Sequence, residues 1–191
     1  MSHLPGSFIR GRVQPYRVAG DLCFSAGHVV DNAVLYEWSA IVAPLLVTGD
    51  PRYRISGMYL EFKNVASPGD TVTAPTLDRT RTLSYYNDLS TSADRDYLRV
   101  PLTSYLLNSS QDRVNDLLTF FAVSAGSTGV HGKPFSHTHN SVIYGASLVA
   151  IPEPGDRTQD LLFSSMYLPT GAQQAKLATS QIGLKWDLTL G

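Results

Sequence analysis

The stretch Gln181-Ile-Gly-Leu-Lys-Trp-Asp-Leu-Thr-Leu190 places an apolar residue at every second position. Successive side chains of a β-strand point to opposite faces of a sheet, whereas the side chains of an α-helix repeat about every 3.6 residues. The alternation therefore predicts a strand with one buried face. Trp186 lies at the centre of that face, between Leu184 and Leu188.

Several other segments also have the character of strands. Residues 55–63 alternate in the same way, with Met58, Leu60 and Phe62 predicted to share one face. Three further runs are rich in apolar and β-favouring side chains: residues 117–124, 142–151 and 161–168. The last two are separated by Pro152-Glu-Pro-Gly-Asp156, which contains too much proline for a helix and predicts a turn.

The spacing of these segments predicts the fold class. The chain has 191 residues, of which 15 are Gly and 11 are Pro, so turns are frequent. No long segment with a helical period separates the predicted strands, which disfavours a parallel α/β sheet. Short helical pieces are predicted at residues 31–40, 110–118 and 173–178. The protein is therefore predicted to be mainly β, an antiparallel β-sandwich or jelly-roll-like barrel with short helical pieces and long loops, formed by residues 1–191 as a single domain.

Charge and composition exclude several classes of function. The 15 basic and 16 acidic residues give a net charge of -1, without the basic patch of a nucleic-acid-binding protein. No stretch approaches the roughly 20 apolar residues of a membrane span, and the N-terminus lacks the apolar run of a signal peptide. We therefore expect neither a nucleic-acid nor a membrane partner. Cys23 is alone, which excludes an intrachain disulfide and a Cys-based zinc site.

Two long polar segments do not fit the strand pattern: residues 77–96 and residues 126–140. Long loops in a compact domain are usually functional or mobile, and Tyr and Arg are enriched at protein interfaces. Both segments are therefore predicted to make inter-subunit or inter-protein contacts, the alternative for each being an ordinary solvated loop, and the candidate residues lie in the first segment. Its predicted interface residues are Arg79, Arg81, Tyr85, Tyr86 and Arg95.

The sequence has one cluster with metal-binding character, formed by His131, His137 and His139. His137 and His139 are two positions apart, so on a strand both imidazoles point to the same side. The stretch from Gly132 to His139 resembles part of the first cupin motif, but the glutamate that follows in that motif is absent. An alternative function is therefore a cupin-like metal-binding barrel enzyme that uses His137 and His139, with His131 as a further ligand.

Other enzyme signatures are missing from the sequence. It contains no phosphate loop, no Gly-x-Ser-x-Gly elbow and no dinucleotide-binding fingerprint. No catalytic residue and no cofactor are therefore predicted. A third function remains open, a carbohydrate-binding β-sandwich module whose aromatic side chains stack on sugars. The candidate aromatic residues are Tyr36, Trp38, Tyr53, Tyr59, Tyr85, Tyr86 and Tyr97.

Three segments resemble parts of the small β-rich virion proteins of tailed bacteriophages. They are Arg54-Ile-Ser-Gly-Met-Tyr-Leu-Glu-Phe62, Thr158-Gln-Asp-Leu-Leu-Phe-Ser-Ser-Met-Tyr167 and Ser180-Gln-Ile-Gly-Leu-Lys-Trp-Asp-Leu-Thr-Leu190. The resemblance implies a non-enzymatic structural protein, such as a head-decoration protein, a collar protein or a head–tail or tail-fibre adaptor. Its partners would be copies of itself and other virion proteins. It would reside in the virion after synthesis in the host cytoplasm.

Overall fold

The computed structural model describes residues 9–19, 22–25, 29–67, 69–108, 117–124, 127–135, 140–175 and 181–190. Within these ranges the chain forms two antiparallel six-stranded sheets. Buried apolar side chains from both sheets pack into a shared core. The mainly β prediction is confirmed, and the architecture is that of a β-sandwich.

The first sheet contains both ends of the described chain. Its strands are β1 (Ile9–Ala19), β2 (Leu22–Ser25), β3 (Val30–Asp31), β7 (Ser104–Asn108), β8 (Leu117–Val123) and β12 (Gln181–Leu190). They are ordered β2-β1-β12-β8-β7, and β3 also pairs with β1. The strand β12 is therefore central, because it has a paired strand on each side.

The second sheet is built mainly from the middle of the chain. Its strands are β4 (Ala33–Val34), β5 (Ile55–Asn64), β6 (Arg95–Pro101), β9 (Ser141–Ala150), β10 (Leu161–Tyr167) and β11 (Gln174–Ala175). They are ordered β4-β10-β9-β5-β6, and β11 also pairs with β9. The predicted strands at residues 55–63, 142–151 and 161–168 are confirmed, with ends that differ by about one residue.

The period-two alternation in β12 predicts its burial correctly. Ile182, Leu184, Trp186 and Leu188 are buried in the core, whereas Lys185 and Asp187 are partly exposed. Trp186 pairs with Val13 of β1 on one side and with Phe120 of β8 on the other. Side chains directly opposite each other on neighbouring strands lie on the same face, so this row forms one wall of the core.

The strand β5 differs from β12 because both of its faces are buried. Met58, Leu60 and Phe62 belong to the core between the sheets, as their alternation predicts. Tyr59 and Glu61 point to the opposite face and are also fully buried. This second face is covered by side chains from residues 77–96, so it is not exposed to solvent as one face of a two-layer sandwich would be.

Two α-helices are present in the described part of the chain: α1 (Trp38–Thr48) and α2 (Leu83–Asp88). Short 3-10 turns lie at Pro51–Tyr53, Leu89–Thr91, Arg157–Gln159 and Thr170–Ala172. Neither helix has the length and apolar character that a membrane-crossing helix needs. Helix α1 ends at Thr48 and is capped by Gly49, which has a left-handed φ of 67° and donates its N–H to the Leu45 carbonyl oxygen with an N···O distance of 3.0 Å.

The helix predicted at residues 31–40 is displaced in the structure. Residues 30–31 and 33–34 form β3 and β4, and the helix begins only at Trp38. It continues through Pro44, because Ile41 is buried in the core and the gain from packing offsets the hydrogen bond that proline removes.

The two other predicted helical pieces lie only partly within the described ranges. Leu117 and Leu118 begin β8, and residues 109–116 lie outside the described ranges. Gln174 and Ala175 form β11 and pair with β9, whereas residues 176–180 are not described. At these four residues, strand pairing with distant residues prevails over a weak local helical preference, and the prediction for the residues outside the described ranges stays a prediction.

Candidate assembly surface

Residues 77–96 are held against the second sheet by a buried carboxylate, that of Glu61 on β5. Its Oε1 accepts a hydrogen bond of 2.8 Å from the Tyr86 hydroxyl, and its Oε2 accepts one of 2.9 Å from the Tyr85 hydroxyl. The Arg81 guanidinium completes the cluster, with Nη1 3.3 Å from Glu61 Oε1. The carboxylate therefore has several donors in place of water, as a buried charge requires.

Arg81 extends this cluster to β10. Its guanidinium donates to the Tyr167 hydroxyl and lies 3.7 Å from the centroid of the Tyr85 ring. The Tyr167 hydroxyl in turn donates to that of Tyr85 at 2.7 Å. Arg81 thus combines an ion pair, a hydrogen bond and a cation–π contact, all of which need its planar and permanently charged group.

The protonation of this cluster depends on opposing effects. Burial raises the pKa of the Glu61 carboxyl, and the charge of Arg81 together with the tyrosine hydroxyls opposes that rise. Burial by itself would lower the pKa of Arg81, but the neighbouring Glu61 carboxylate raises it overall, so the guanidinium stays charged. The pair therefore attaches residues 77–96 to the sheet, and burial makes the ionised form of Glu61 less favourable than it is in water.

The five predicted interface residues are in different environments. Arg81 and Tyr86 are buried inside the subunit, and Tyr85 is half-buried against Glu61. Arg95 is also half-buried, with its guanidinium 5.8 Å from the Tyr144 ring centroid. Arg79 is exposed. The buried side chains attach the segment to its own sheet and offer little surface to a partner, and docking by the segment stays a prediction.

A second buried carboxylate, Asp96 on β6, positions the loop at residues 127–135. It accepts hydrogen bonds from the backbone N–H of His131 at 2.9 Å and of Lys133 at 3.2 Å. Its Oδ1 also lies 3.0 Å from His131 Nδ1. The loop continues along β6, where the Val130 N–H donates to the Tyr97 carbonyl oxygen at 3.0 Å.

His131 is held in place by this carboxylate through its backbone and its ring. An Asp–His pair is half of a nucleophilic triad, but among the described residues no hydroxyl or thiol group hydrogen-bonds the other ring nitrogen. Burial lowers the His131 pKa, and the Asp96 carboxylate opposes that effect. The described ranges contain no cluster of three metal-binding side chains. His137 and His139 lie outside those ranges, so the metal-site hypothesis stays a prediction.

Three of the seven aromatic residues that suggest sugar binding form a packed cluster instead. Tyr59, Tyr86 and Tyr97 are fully buried, and their ring centroids lie 4.5 to 4.8 Å apart. Buried rings cannot stack on a glycan, so these residues do not form the predicted platform. Tyr36 is an exception with an exposed side chain.

The strand β7 stands out because it exposes a row of large apolar side chains. The exposed fractions are 71% for Tyr105, 59% for Leu106 and 54% for Leu107. The strand lies at the end of the first sheet and pairs only with β8 among the described strands. Its sequence, Ser-Tyr-Leu-Leu-Asn, contains no charge and no proline.

The pairing of β7 determines which side chains face the core side of the sheet. Tyr105 lies opposite Phe120, and Leu107 lies opposite Leu118. Because Phe120 belongs to the core, Tyr105 and Leu107 extend the inner face of the first sheet. Leu106 is on the outer face, and the inner face therefore remains apolar up to the edge of the sheet.

An apolar cleft of about 560 Å³ lies beside this edge, between the two sheets and α1. Helix α1 contributes Trp38, Ile41, Val42 and Leu45 to its lining, and β7 contributes Tyr105. The remaining lining residues are Ile9, Arg54, Ile55, Ser56, Leu102, Leu118, Phe120, Phe163 and Leu188. The cleft is thus bordered by both α1 and β7, and we call β7 together with this cleft the edge surface.

Sequence patterns do not identify the edge surface. The signal that was available is the short uncharged run of residues 104–108, which lies between two segments that bear charges. Its exposure depends on β7 being at the end of a sheet, and that position is set by tertiary pairing. No protein-family model matches the chain, and no curated protein or solved structure is significantly similar to it.

Proposed function

We propose that this protein is a non-enzymatic structural protein of a tailed-bacteriophage virion that acts by assembling with further copies of itself. The observation that carries the proposal is the uncharged terminal strand β7, with the exposed side chains of Tyr105, Leu106 and Leu107. A strand edge is a template for pairing with another chain, and a contiguous exposed apolar patch marks an interaction site. The resemblance of the three segments to phage virion proteins supports the same role.

A comparison with β6, the terminal strand of the second sheet, strengthens this interpretation. The strand β6 bears Arg95, Asp96 and Arg99, and it ends at Pro101. Its edge is also covered by the loop at residues 127–135, which Asp96 holds in place. Charges, proline and covering loops are the usual protection of sheet edges. Since β7 has no charge and no proline, its edge is suited to pairing.

The buried polar groups also support a structural role. Glu61 and Asp96 are fully buried, and their contacts attach residues 77–96 and 127–135 to the second sheet. Neither carboxylate is among the residues that line the cleft of the edge surface. An acid–base catalyst must reach its substrate, whereas a group that holds loops together needs no access.

Sedimentation velocity of the full chain over a range of concentrations tests self-assembly. The wild type should form a reversible oligomer, and Leu106→Lys should shift it to monomer because a charge at the edge opposes pairing. Val29→Lys is the matched control, since Val29 is a comparably exposed apolar residue outside β7. A wild type that is monomeric at every concentration contradicts self-assembly. Mass spectrometry of purified virions tests the location, and absence of the protein from them contradicts the virion role.

A further inference from the structure

We infer that β7 pairs with β7 of a second copy, antiparallel and centred on Leu106, and that this pairing closes the apolar cleft. The inference rests on the proposed function, because it specifies the surface through which the copies assemble. The resulting dimer would join the two first sheets into one continuous sheet. It is an isologous contact, in which both copies use the same surface.

The residue pattern of β7 is compatible with this register. An antiparallel pair centred on Leu106 places Tyr105 of each copy opposite Leu107 of the other, and Ser104 opposite Asn108. Residues directly opposite each other lie on the same face of a sheet. Tyr105 and Leu107 of both copies would therefore share the inner face, and the polar residues would pair at the two ends.

The absence of charge on β7 is compatible with a second copy as its partner. A two-fold contact brings every group close to its own counterpart, so a charged edge would repel itself. The strand β7 is uncharged, which removes this repulsion. The edge of β6 is unsuitable by the same criterion, because it bears charges and is covered by a loop.

The cleft supplies the apolar contact that a single pair of short strands lacks. Tyr105 is part of the cleft lining and lies on the inner face of β7. A second strand added beside β7 would place the partner's Tyr105 and the partner's Leu107 along the same opening. Aromatic side chains that cover an apolar pocket are the typical energetic centre of a protein interface. Backbone pairing would thus provide the register, and the cleft would provide the hydrophobic stabilisation.

Disulfide trapping tests the register at the resolution of one residue. Directly opposite residues of antiparallel strands have Cα atoms about 4.5 to 5.5 Å apart, which is within the range of a disulfide. In a Cys23→Ser background, Leu106→Cys should form a covalent dimer that reductant reverses. Leu46→Cys is the collision control, because Leu46 is an 81% exposed leucine on α1. It should form at least tenfold less dimer at equal concentration.

A mixing experiment provides an independent test of the same register. Tyr105→Cys and Leu107→Cys should each dimerise poorly alone, because diagonal neighbours lie about 7 to 8 Å apart. A mixture of the two variants should form the mixed disulfide efficiently, since residue 105 of one copy faces residue 107 of the other. Efficient homodimers of Tyr105→Cys, with none in the mixture, would show a different register and overturn the inference.

The outcomes of sedimentation and disulfide trapping together test the pairing of β7 with β7 separately from the proposed function. An oligomer in sedimentation without trapping at Leu106→Cys overturns the inference and leaves the proposed function intact, because the copies then meet through another surface. A monomer at every concentration, with equal trapping at Leu106→Cys and Leu46→Cys, overturns both. A small apolar molecule bound in place of a second copy would appear as added mass in native mass spectrometry of a monomer, and it would also overturn the inference.

Discussion

Arg81 and Glu61 form an ion pair that is buried within one subunit, with Arg81 Nη1 3.3 Å from Glu61 Oε1. Glu61 lies in the middle of β5, and Arg81 precedes α2 in a segment that has the composition of a solvated loop. The pair therefore holds the polar residues 77–96 against the second sheet, where they form a third layer. This relationship explains why both faces of β5 are buried, and it suggests several measurements.

Replacement of the Arg81 guanidinium by an uncharged side chain should destabilise the folded protein. Arg81→Met leaves the Glu61 carboxylate buried without its charge partner, which should lower the free energy of unfolding by on the order of 3 kcal/mol. Arg79→Met is the matched control two positions away, and it should change stability by less than about 0.5 kcal/mol because Arg79 is exposed. Urea unfolding measures both. Equal effects of the two substitutions would contradict the role of the pair.

Glu61 should also make stability depend on pH. Burial raises its pKa in the folded protein above the value of about 4.3 expected in the unfolded chain. The folded state then holds the proton more tightly, so the stability contributed by this group is present below the unfolded pKa. It is lost as the pH rises through the folded pKa.

Glu61→Gln isolates this contribution, because glutamine does not titrate. The difference in the free energy of unfolding, wild type minus Glu61→Gln, should decrease as the pH rises from about 4 toward neutrality. Urea titrations of both proteins at several pH values measure it. A difference that stays constant or increases with pH would show that the pKa of Glu61 is not raised.

Trp186 should be the most sensitive position of β12. Trp186→Ala removes a fully buried ring that packs between neighbours on β1 and β8, and it should cost about 3 to 5 kcal/mol. Lys185→Ala changes the other face, where Lys185 only pairs with the partly exposed Asp187, and it should cost less than about 0.5 kcal/mol. Chemical denaturation distinguishes the two. Comparable losses would mean that the outer face of β12 is an interface.

The loop at residues 127–135 should be sensitive at Gly129. A Cβ added there would lie 2.3 Å from Asp96 Oδ2, so Gly129→Ala should displace the carboxylate and cost about 1 to 3 kcal/mol. Gly155→Ala is the control, because a Cβ at Gly155 meets nothing within 4 Å. It should be neutral or slightly stabilising, since alanine restricts the unfolded chain. Thermal unfolding compares the variants, and a harmless Gly129→Ala would show that Asp96 does not hold the loop closely.

The alternation of apolar residues predicts the buried side chains of a strand correctly where only one face of that strand is buried. The alternation in β12 identifies its buried face, including Trp186, because one face of that strand packs against the core and the other does not. The same alternation in β5 identifies which side chains share a face. It does not predict that Tyr59 and Glu61 are buried, because residues distant in the sequence cover them.

The sequence does not predict the roles of the residues at the candidate sites. Arg81, Tyr85 and Tyr86 are identified as notable residues, but their composition suggests an interface, whereas the structure uses them to bind Glu61. The sequence does not predict the edge surface, because a run of apolar residues does not indicate whether the strand that contains it is central or terminal in its sheet. His131 is placed by Asp96, which is 35 residues away.

The sequence by itself therefore determined the antiparallel β class and the buried face of β12. These properties follow from the chemistry and spacing of neighbouring residues, which act within a single strand or turn. Only the tertiary structure decided that β7 ends a sheet, that Glu61 is buried beneath Arg81, and that a cleft opens beside Tyr105. Each of these depends on contacts between residues far apart in the chain. Exposure and burial at such positions are set by the relative placement of elements, which local periodicity does not encode.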